Sequence, residues 1–274
     1  MLFAVPNVSE GRDTAAIIGI EQAFAAPGGV KLLDTHSDPD HHRSVFWLSG
    51  GPGRLAQSLV EGAKEATGWI DLTEPRGVHP HVGALDVAPI VYAKPEDRGA
   101  ACAEALLAAG RLADECGLPV YLYGELGGGR TRQELRRGGL KALRLTPPDF
   151  GPREPDPHKG AVLVAARPPL VAFNFEIEGD VAKARDIAAE LRELPGVLAL
   201  GLWLDSRSVA QVSVNIEQPD AMPLATLLEH VRTRARVREA ELVGLAPEAA
   251  FAGWPPDVPI RNRRTIEDAL RRAD

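Results

Sequence analysis

Histidine is the residue type in this chain best suited to acid–base chemistry. Six of the seven histidines lie between His36 and His158, and the densest segment is Gly77-Val78-His79-Pro80-His81-Val82-Gly83. A proline disfavours helical geometry in the residue before it, so we expect His79 on an extended or turning backbone. Imidazole changes charge near neutral pH and can therefore transfer protons. An HPH tripeptide alone is more often a surface loop, so this assignment depends on the rest of the chain.

A second polar segment, Asp38-Pro39-Asp40-His41-His42-Arg43, is predicted to form a turn. Carboxylates and imidazoles are common metal ligands, and with His79 and His81 they suggest a metal site as one alternative. Adjacent side chains on an extended turn point apart, however, so no more than two of them converge easily. We therefore predict no metal.

Two further segments are chemically distinctive. Between positions 130 and 144 six cations accompany a single acid, Glu134; the cations are Arg130, Arg132, Arg136, Arg137, Lys141 and Arg144. Such a run is usually a solvated helix face, but it could also bind carboxylates. The segment 146–160 contains five prolines and is equally consistent with a linker and with the stiff wall of a ligand cleft.

The composition excludes several classes of protein. The 274 residues are 45% hydrophobic and carry a net charge of -7, which disfavours general binding to nucleic acid or to anionic membranes. The chain begins without a leader pattern and has no apolar run of membrane-spanning length. Cys102 and Cys116 lie too far apart on one predicted helix for a disulfide, and two cysteines suit a reducing cytoplasm.

Hydrophobic periodicity predicts the order βαββαβ twice. The predicted strands of the first half are 2–5, 30–33, 44–48 and 85–91, with helices at 13–25 and 55–67. Those of the second half are 170–177, 197–204, 209–216 and 240–243, with helices at 180–194 and 223–235. A helix at 96–116, a strand at 120–123 and a loop region lie between the halves.

This pattern predicts an α+β fold of two ferredoxin-like (βαββαβ) subdomains, 1–165 and 166–274. Their sheets should be mainly antiparallel, with helices on one face. A single doubly wound parallel sheet is disfavoured, because parallel neighbours require a crossover helix between them.

Six segments stand in the order found in one protein family. They are 5–12 (VPNVSEGR), 38–45 (DPDHHRSV), 79–89 (HPHVGALDVAP), 119–124 (PVYLYG), 149–160 and 210–215 (AQVSVN). In these segments the chain resembles the glutamate formiminotransferase family, the formiminotransferase part of formiminotransferase-cyclodeaminase. The likeness extends to about Pro247 and does not include the cyclodeaminase domain.

The resemblance implies transfer of a formimino group from N-formimino-L-glutamate to N5 of tetrahydrofolate, a reaction of one-carbon metabolism and histidine degradation. It implies folate held between two subdomains and places the family's catalytic histidine at His79. It places a folate-binding stretch at Gly151, Pro152, Arg153, Glu154, Pro155, Asp156, Pro157, His158, Lys159 and Gly160. To these we add Asp38, His42 and Arg43, which we expect to orient His79 or to bind the formimino nitrogen.

Other expectations accompany this reading. The partners should be small molecules, in a cytoplasmic enzyme that forms a homodimer and binds neither nucleic acid nor membrane. Because folate ends in glutamate, we expect one or more of Arg130, Arg132, Arg136 and Arg137 to face its tail. Two alternatives stay open: formyl transfer between 5-formyltetrahydrofolate and glutamate, and folate binding without turnover.

Two positions depart from the family pattern. His81 stands where the family usually has arginine, and His42 where it often has asparagine. A titratable ring in place of a fixed cation weakens any carboxylate contact at that position.

Overall fold

The chain divides into two compact units, Met1–Pro168 and Pro169–Asp274. The computed structural model describes residues 1–74, 77–219 and 221–273. Each unit has its own β-sheet and its own hydrophobic core. The α+β class expected from the sequence is therefore confirmed.

The first unit contains seven strands and five α-helices among its described residues. The strands are β1 (Leu2–Ala4), β2 (Asn7–Val8), β3 (Val30–Asp38), β4 (Arg43–Gly50), β5 (Leu85–Tyr92), β6 (Val120–Leu122) and β7 (Val162–Arg167). The helices are α1 (Thr14–Ala25), α2 (Arg54–Trp69), α3 (Arg98–Cys116), α4 (Arg132–Arg136) and α5 (Gly139–Leu143), with a 3-10 turn at Pro95–Asp97.

The sheet of the first unit is antiparallel at one side and parallel at the other. β1 and β2 both lie between β4 and β5 and pair antiparallel with each, while β3 pairs with the far edge of β4. β7 pairs with β5 and β6 in parallel. The order across the sheet is therefore β3, β4, β1 with β2, β5, β7, β6. Helix α3 lies between β5 and β6, and α4 and α5 lie between β6 and β7, so helices supply the crossovers that parallel pairing requires.

Strand β7 was not expected from the sequence. The segment 162–167 directly follows the proline-rich stretch, and its strand is almost wholly buried. A strand buried on both faces lacks the alternation of polar and apolar residues by which strands are recognised.

Helices cover both faces of the first sheet. The larger core packs α1, α2 and α3 against one face. A smaller core on the other face joins Leu135 and Leu143, from the α4–α5 segment, to Val87, Tyr121 and Leu163 of the strands. The expectation of helices on one face only is therefore wrong for this unit, because two short helices in the basic stretch carry apolar residues that bury against the sheet.

The second unit follows the predicted order more closely. Its strands are β8 (Val171–Ile177), β9 (Val197–Leu204), β10 (Val209–Ile216), β11 (Val237–Val243) and β12 (Ile260–Arg261). Its helices are α6 (Val181–Leu191), α7 (Leu224–Arg232) and α8 (Ile266–Ala273), with a 3-10 turn at Glu248–Phe251. The sheet order is β9, β10, β8, β11, β12, and only the β11–β12 pair is parallel.

Candidate active site

The turn between β3 and β4 is held by hydrogen bonds from its own side chains. The Asp38 carboxylate accepts the backbone amides of Asp40 and His41, both at 2.8 Å. His42 adopts a left-handed backbone with φ of 51°, and its Nδ1 accepts the Gly11 amide at 3.2 Å. A side chain on Gly11 would collide with the backbone of Asp38 and Arg43, so the β2–α1 loop fits tightly against this turn. Asp38 and His42 thus stabilise the turn, and their contact with substrate stays a prediction.

Within the first unit, the side chains of Arg43 and Arg136 both contact the carboxylate of Asp86. Val8 pairs with Leu85 and Asn7 with Val87, so Asp86 is one residue in excess in β5. Such a bulge can re-aim a side chain. The Val82 amide donates to Asp86 Oδ1 at 2.8 Å, and Arg43 Nη1 donates to Oδ2 at 2.7 Å. Arg136 Nη2, from α4, donates to the same Oδ2. We call Arg43, Asp86 and Arg136 the charge triad.

In the triad, burial and the neighbouring opposite charges shift the pKa values of Asp86 and Arg43 in opposite directions. Burial favours the neutral form of Asp86, but Arg136 and Arg43 outweigh it and hold the pKa of this carboxyl well below its usual range. Burial lowers the pKa of Arg43 to about 10, with Asp86 acting against the decrease. Asp86 and Arg43 are therefore ionised at neutral pH, and the guanidinium of Arg136 gives the triad a net charge of +1. Arg43 is further fixed by donation from Nε to Asn7 Oδ1 at 2.9 Å.

His79 lies beside this triad and against the turn. Its ring centroid is 6.0 Å from that of His41, and the neighbouring Val78 amide donates to Asp40 O at 3.1 Å. Gly77, at φ of 75°, allows the close approach, since a side chain there would overlap His42. Among the residues that the structure describes, the buried Nδ1 of His79 has no hydrogen-bond partner.

The pKa of His79 lies well below the usual value of an imidazole. Burial is the largest cause, and the positive charges of Arg43 and Arg136 lower the pKa further, against the opposing effect of Asp86. His79 is therefore uncharged at neutral pH. An uncharged imidazole can accept a proton directly, as a general base must.

His42 and His81, the two positions that depart from the family pattern, line the same pocket. They share it with Ser9, Glu10, Ile70, Asp71, Leu72 and Glu74. Its volume of about 10 Å³ holds about one water molecule. His81 Nδ1 lies 3.5 Å from the carbonyl oxygen of His79.

The expected folate-binding stretch divides into two parts. Gly151, at φ of 84°, follows Phe150, whose carbonyl accepts the Val120 amide, and Pro152, Arg153 and Glu154 are exposed. Pro155 is buried, and residues 156–160 form a turn in which the Asp156 carboxylate accepts the His158 amide at 2.8 Å.

This turn is joined to the chain just after His81. The Ala84 amide donates to Lys159 O, and the Ala161 amide donates to Val82 O, both at 2.9 Å. Gly160 is required here, because a side chain at its φ of 74° would collide with Val82 O. Within the expected folate-binding stretch 151–160, residues 156–160 are therefore the part that is joined to the segment 82–84 by backbone hydrogen bonds.

The basic stretch is not one solvated surface. Arg130 forms two hydrogen bonds with the Asp149 carboxylate, at 2.7 and 2.6 Å, and Arg132 lies over the Tyr123 ring. Arg136 Nη2 donates a hydrogen bond to Asp86 Oδ2. The expectation that one or more of Arg130, Arg132, Arg136 and Arg137 face a folate tail stays a prediction. Arg130 and Arg136 form ion pairs with Asp149 and Asp86, and Arg137, Lys141 and Arg144 are exposed.

The sequence analysis considered His41 only as a possible metal ligand and Arg136 only as a contact for the folate tail, and it gave Asp86 no role. Asp86 had a signal, because an acid inside an apolar strand segment is buried only if it is paired. His41 lies within the polar turn already singled out. Arg136 was singled out by its basic neighbours, but nothing local indicated its pairing with Asp86, which is fifty residues away in the chain.

The described ranges 1–74, 77–219 and 221–273 contain no group of three or more histidine, cysteine, aspartate or glutamate side chains placed to hold a metal ion. Within the same ranges, every helix is too short or too polar to cross a bilayer.

Comparison with known proteins agrees with the six segments. Residues 1–167 match the family model "Formiminotransferase domain, N-terminal subdomain", and residues 172–253 match "Formiminotransferase domain". The chain is 36% identical to "Formimidoyltransferase-cyclodeaminase" of Sus scrofa, over 92% of this chain and 51% of that protein. It thus spans about half the length of this relative.

Shorter relatives match over most of their length. The chain is 34% identical to "Glutamate formimidoyltransferase" of Streptococcus pyogenes serotype M1, over 90% of this chain and 89% of that one. A protein of the same name from Thermoplasma acidophilum is 32% identical, over 92% and 89%. The chain therefore belongs to the formiminotransferase family.

Proposed function

We propose that this chain transfers a formimino group from N-formimino-L-glutamate to N5 of tetrahydrofolate, with His79 as the acid–base group. Tetrahydrofolate is the co-substrate, and the reaction uses no metal. The observation that carries the proposal is the environment of His79, in a chain of the formiminotransferase family. Its buried Nδ1 has no hydrogen-bond partner among the described residues, and burial lowers its pKa. The names of the two shorter relatives support the same activity.

The chemistry needs one group that takes a proton and then returns it. N5 of tetrahydrofolate attacks the formimino carbon, and a new C–N bond forms as His79 accepts the N5 proton. His79 then donates this proton to the glutamate nitrogen, and the C–N bond to glutamate breaks. A well-placed acid–base group contributes about 10²- to 10⁴-fold in rate. Holding the two substrates in register supplies much of the rest.

The other site residues follow from this role. We propose that Asp38, His42 and Arg43 act by holding the turn and the triad beside His79. We propose residues 151–160 as the folate-binding stretch, because the 156–160 turn is bonded to the segment that follows His81.

We further propose that the chain duplicates a ferredoxin-like unit, with formiminotransferase subdomains at 1–165 and 166–274. Support comes from the shared strand order. In each unit the second strand of the motif is at the edge, followed by the third, the first and the fourth. Strands β6 and β7 extend the first sheet and β12 extends the second. We propose a cytoplasmic homodimer as the working assembly.

The decisive experiment incubates purified protein with tetrahydrofolate and N-formimino-L-glutamate and identifies the folate product by mass spectrometry. The proposal expects 5-formiminotetrahydrofolate together with one glutamate for each folate converted. A second reaction with N-formyl-L-glutamate tests formyl transfer, whose product differs by oxygen in place of NH. Turnover of the formyl donor alone would favour the formyl reaction, and binding of folate without either product would favour a folate-binding protein.

A further inference from the structure

The ring of His79 is not oriented by a hydrogen bond at Nδ1. This nitrogen is buried and has no partner within the part of the chain that the structure describes. A catalytic imidazole is usually held in one orientation and one tautomer by a hydrogen bond at the ring nitrogen that does not react. Another contact must therefore fix the plane of the His79 ring.

The ring of His41 provides such a contact. Its centroid lies 6.0 Å from that of His79, and the two ring planes are inclined by 33°. Aromatic rings attract each other at centroid separations of about 4.5–7 Å and favour particular relative orientations. His41 is buried, so the contact is shielded from water.

His41 is itself held in place by the turn between β3 and β4. Its backbone amide donates to the Asp38 carboxylate at 2.8 Å, and the same oxygen accepts the Asp40 amide. The next residue, His42, is fixed by the bond from the Gly11 amide to its Nδ1. A ring carried by a turn with these bonds has a defined position, so Asp38 acts on His79 through His41.

The segment that carries His79 lies directly against this turn. The Val78 amide donates to Asp40 O at 3.1 Å. A side chain on Gly77 would come within 2.6 Å of the carbonyl oxygen of His41, so only glycine allows this approach. The contact between the two rings therefore continues a backbone contact that already fixes one segment on the other.

We propose that His41 is a positioning residue: its ring packs against the ring of His79 and fixes the plane in which His79 exchanges a proton with substrate. The inference rests on the proposed role of His79. The proton-accepting nitrogen must point at the reacting atom, and a displacement of about 1 Å can cost about 100-fold in rate. This role needs a flat ring at position 41 and does not need the nitrogens of that ring.

The first test separates the ring from its nitrogens. His41→Phe keeps a flat ring without nitrogen, and His41→Leu keeps an apolar side chain without a ring. The control is His230→Leu, which removes an exposed histidine of α7. We expect kcat for formimino transfer to fall about 10- to 100-fold in His41→Leu and to stay within a few-fold of wild type in the other two. KM for both substrates should change little, because the ring of His41 orients the base and does not bind substrate.

Three results would overturn the proposal in variants that urea unfolding shows to be folded. Equal losses of kcat in His41→Phe and His41→Leu would mean that the ring nitrogens matter. Near-normal kcat in both would mean that the ring contact is dispensable. A raised KM with unchanged kcat would make His41 a substrate-binding residue. If His41→Leu does not fold, His41→Asn, a residue that suits turns and has no ring, takes its place under the same criteria.

The second test measures the orientation of His79 without any substrate. Crystal structures of the wild type and both variants should show one ring plane for His79 in the wild type and in His41→Phe. In His41→Leu the ring should turn or occupy several rotamers. One unchanged, ordered His79 ring in His41→Leu would overturn the proposal. If the wild type forms no formimino product while His79 turns only in His41→Leu, the proposed function fails and the positioning of His79 by His41 stands.

Discussion

At the scale of single residues, His79 is the group on which the proposed reaction depends. We expect His79→Ala to keep the fold and to hold folate affinity within a few-fold, because no backbone contact is lost. Turnover should fall at least about 100-fold, the usual loss on removing an acid–base group. Steady-state kinetics and a fluorescence titration with folate measure the two effects. Near-normal turnover in a folded variant would contradict the assignment.

The lowered pKa of His79 also predicts how stability depends on pH. In the unfolded chain the imidazole titrates near its usual pKa of about 6.5, whereas the folded chain resists protonation. On acidification the unfolded state therefore binds the proton first. The contribution of His79 to the free energy of unfolding is full above pH 6.5 and is lost as the pH falls below it.

Urea unfolding between pH 5 and 8 tests this dependence. The wild type should lose stability towards pH 5 more steeply than His79→Ala, which lacks the titrating group. Parallel curves for the two proteins would mean that His79 is protonated equally well in both states.

At the scale of elements, helix α2 depends on a cap from another helix. Its first residues follow Gly53, which has no side chain, and the Glu104 carboxylate of α3 accepts the amides of Gly53 and Ala56 at 2.6 and 2.7 Å. Glu104 is buried. We expect Glu104→Ala to lower the free energy of unfolding by about 1–3 kcal/mol, since the buried amide of Ala56 and the half-buried amide of Gly53 lose their acceptor. Denaturant unfolding measures the loss.

The matched control for this prediction is Glu96→Ala. Glu96 precedes α3, and its side chain is largely exposed with a 4.0 Å contact to Lys94. Its removal should change stability by no more than about 0.5 kcal/mol. Equal effects of the two substitutions would argue against the capping role.

The basic stretch gives a narrower prediction than its composition alone suggests. Arg130 and Arg136 form ion pairs with Asp149 and Asp86, whereas Arg137, at the C-terminal end of α4, is exposed. We expect Arg137→Ala to raise KM for polyglutamylated folate more than for the monoglutamate, with kcat little changed, because tail contacts stabilise ground and transition states alike. The KM difference should shrink as salt is added. Unchanged KM for both folates would mean that Arg137 is an ordinary solvated side chain that does not contact the folate tail.

At the scale of the whole molecule, each unit has the means to fold by itself. The two cores of the first unit are built from residues up to Ala166, and that of the second from Val171 onward. We expect a fragment of residues 1–168 to unfold cooperatively in denaturant and to show near-UV circular dichroism from Trp47 and Tyr121. A fragment with secondary structure but no cooperative transition would show that its cores are insufficient alone.

Most of the elements were predictable from local sequence. Residues 197–204 and 209–216 are two runs rich in apolar residues on either side of the polar turn 205–208, and the structure has this hairpin at the same bounds. Asp13 and Asp180 were placed at helix starts, and both cap helices through backbone amides. These features depend on hydrophobic period and capping chemistry, which neighbouring residues determine. Strand β7 was not predicted, because burial on both faces removes the alternation of polar and apolar residues.

By itself, the sequence determined the family, the α+β class and the candidate His79, because these depend on residue types and their order along the chain. Only the tertiary structure decided the state of His79. The Asp86 carboxylate is aimed by a bulge in β5, Arg43 comes from β4, and Arg136 arrives from α4 across fifty residues of chain. Burial and the sum of nearby charges determine the pKa of an imidazole, and neither quantity is defined until distant segments meet.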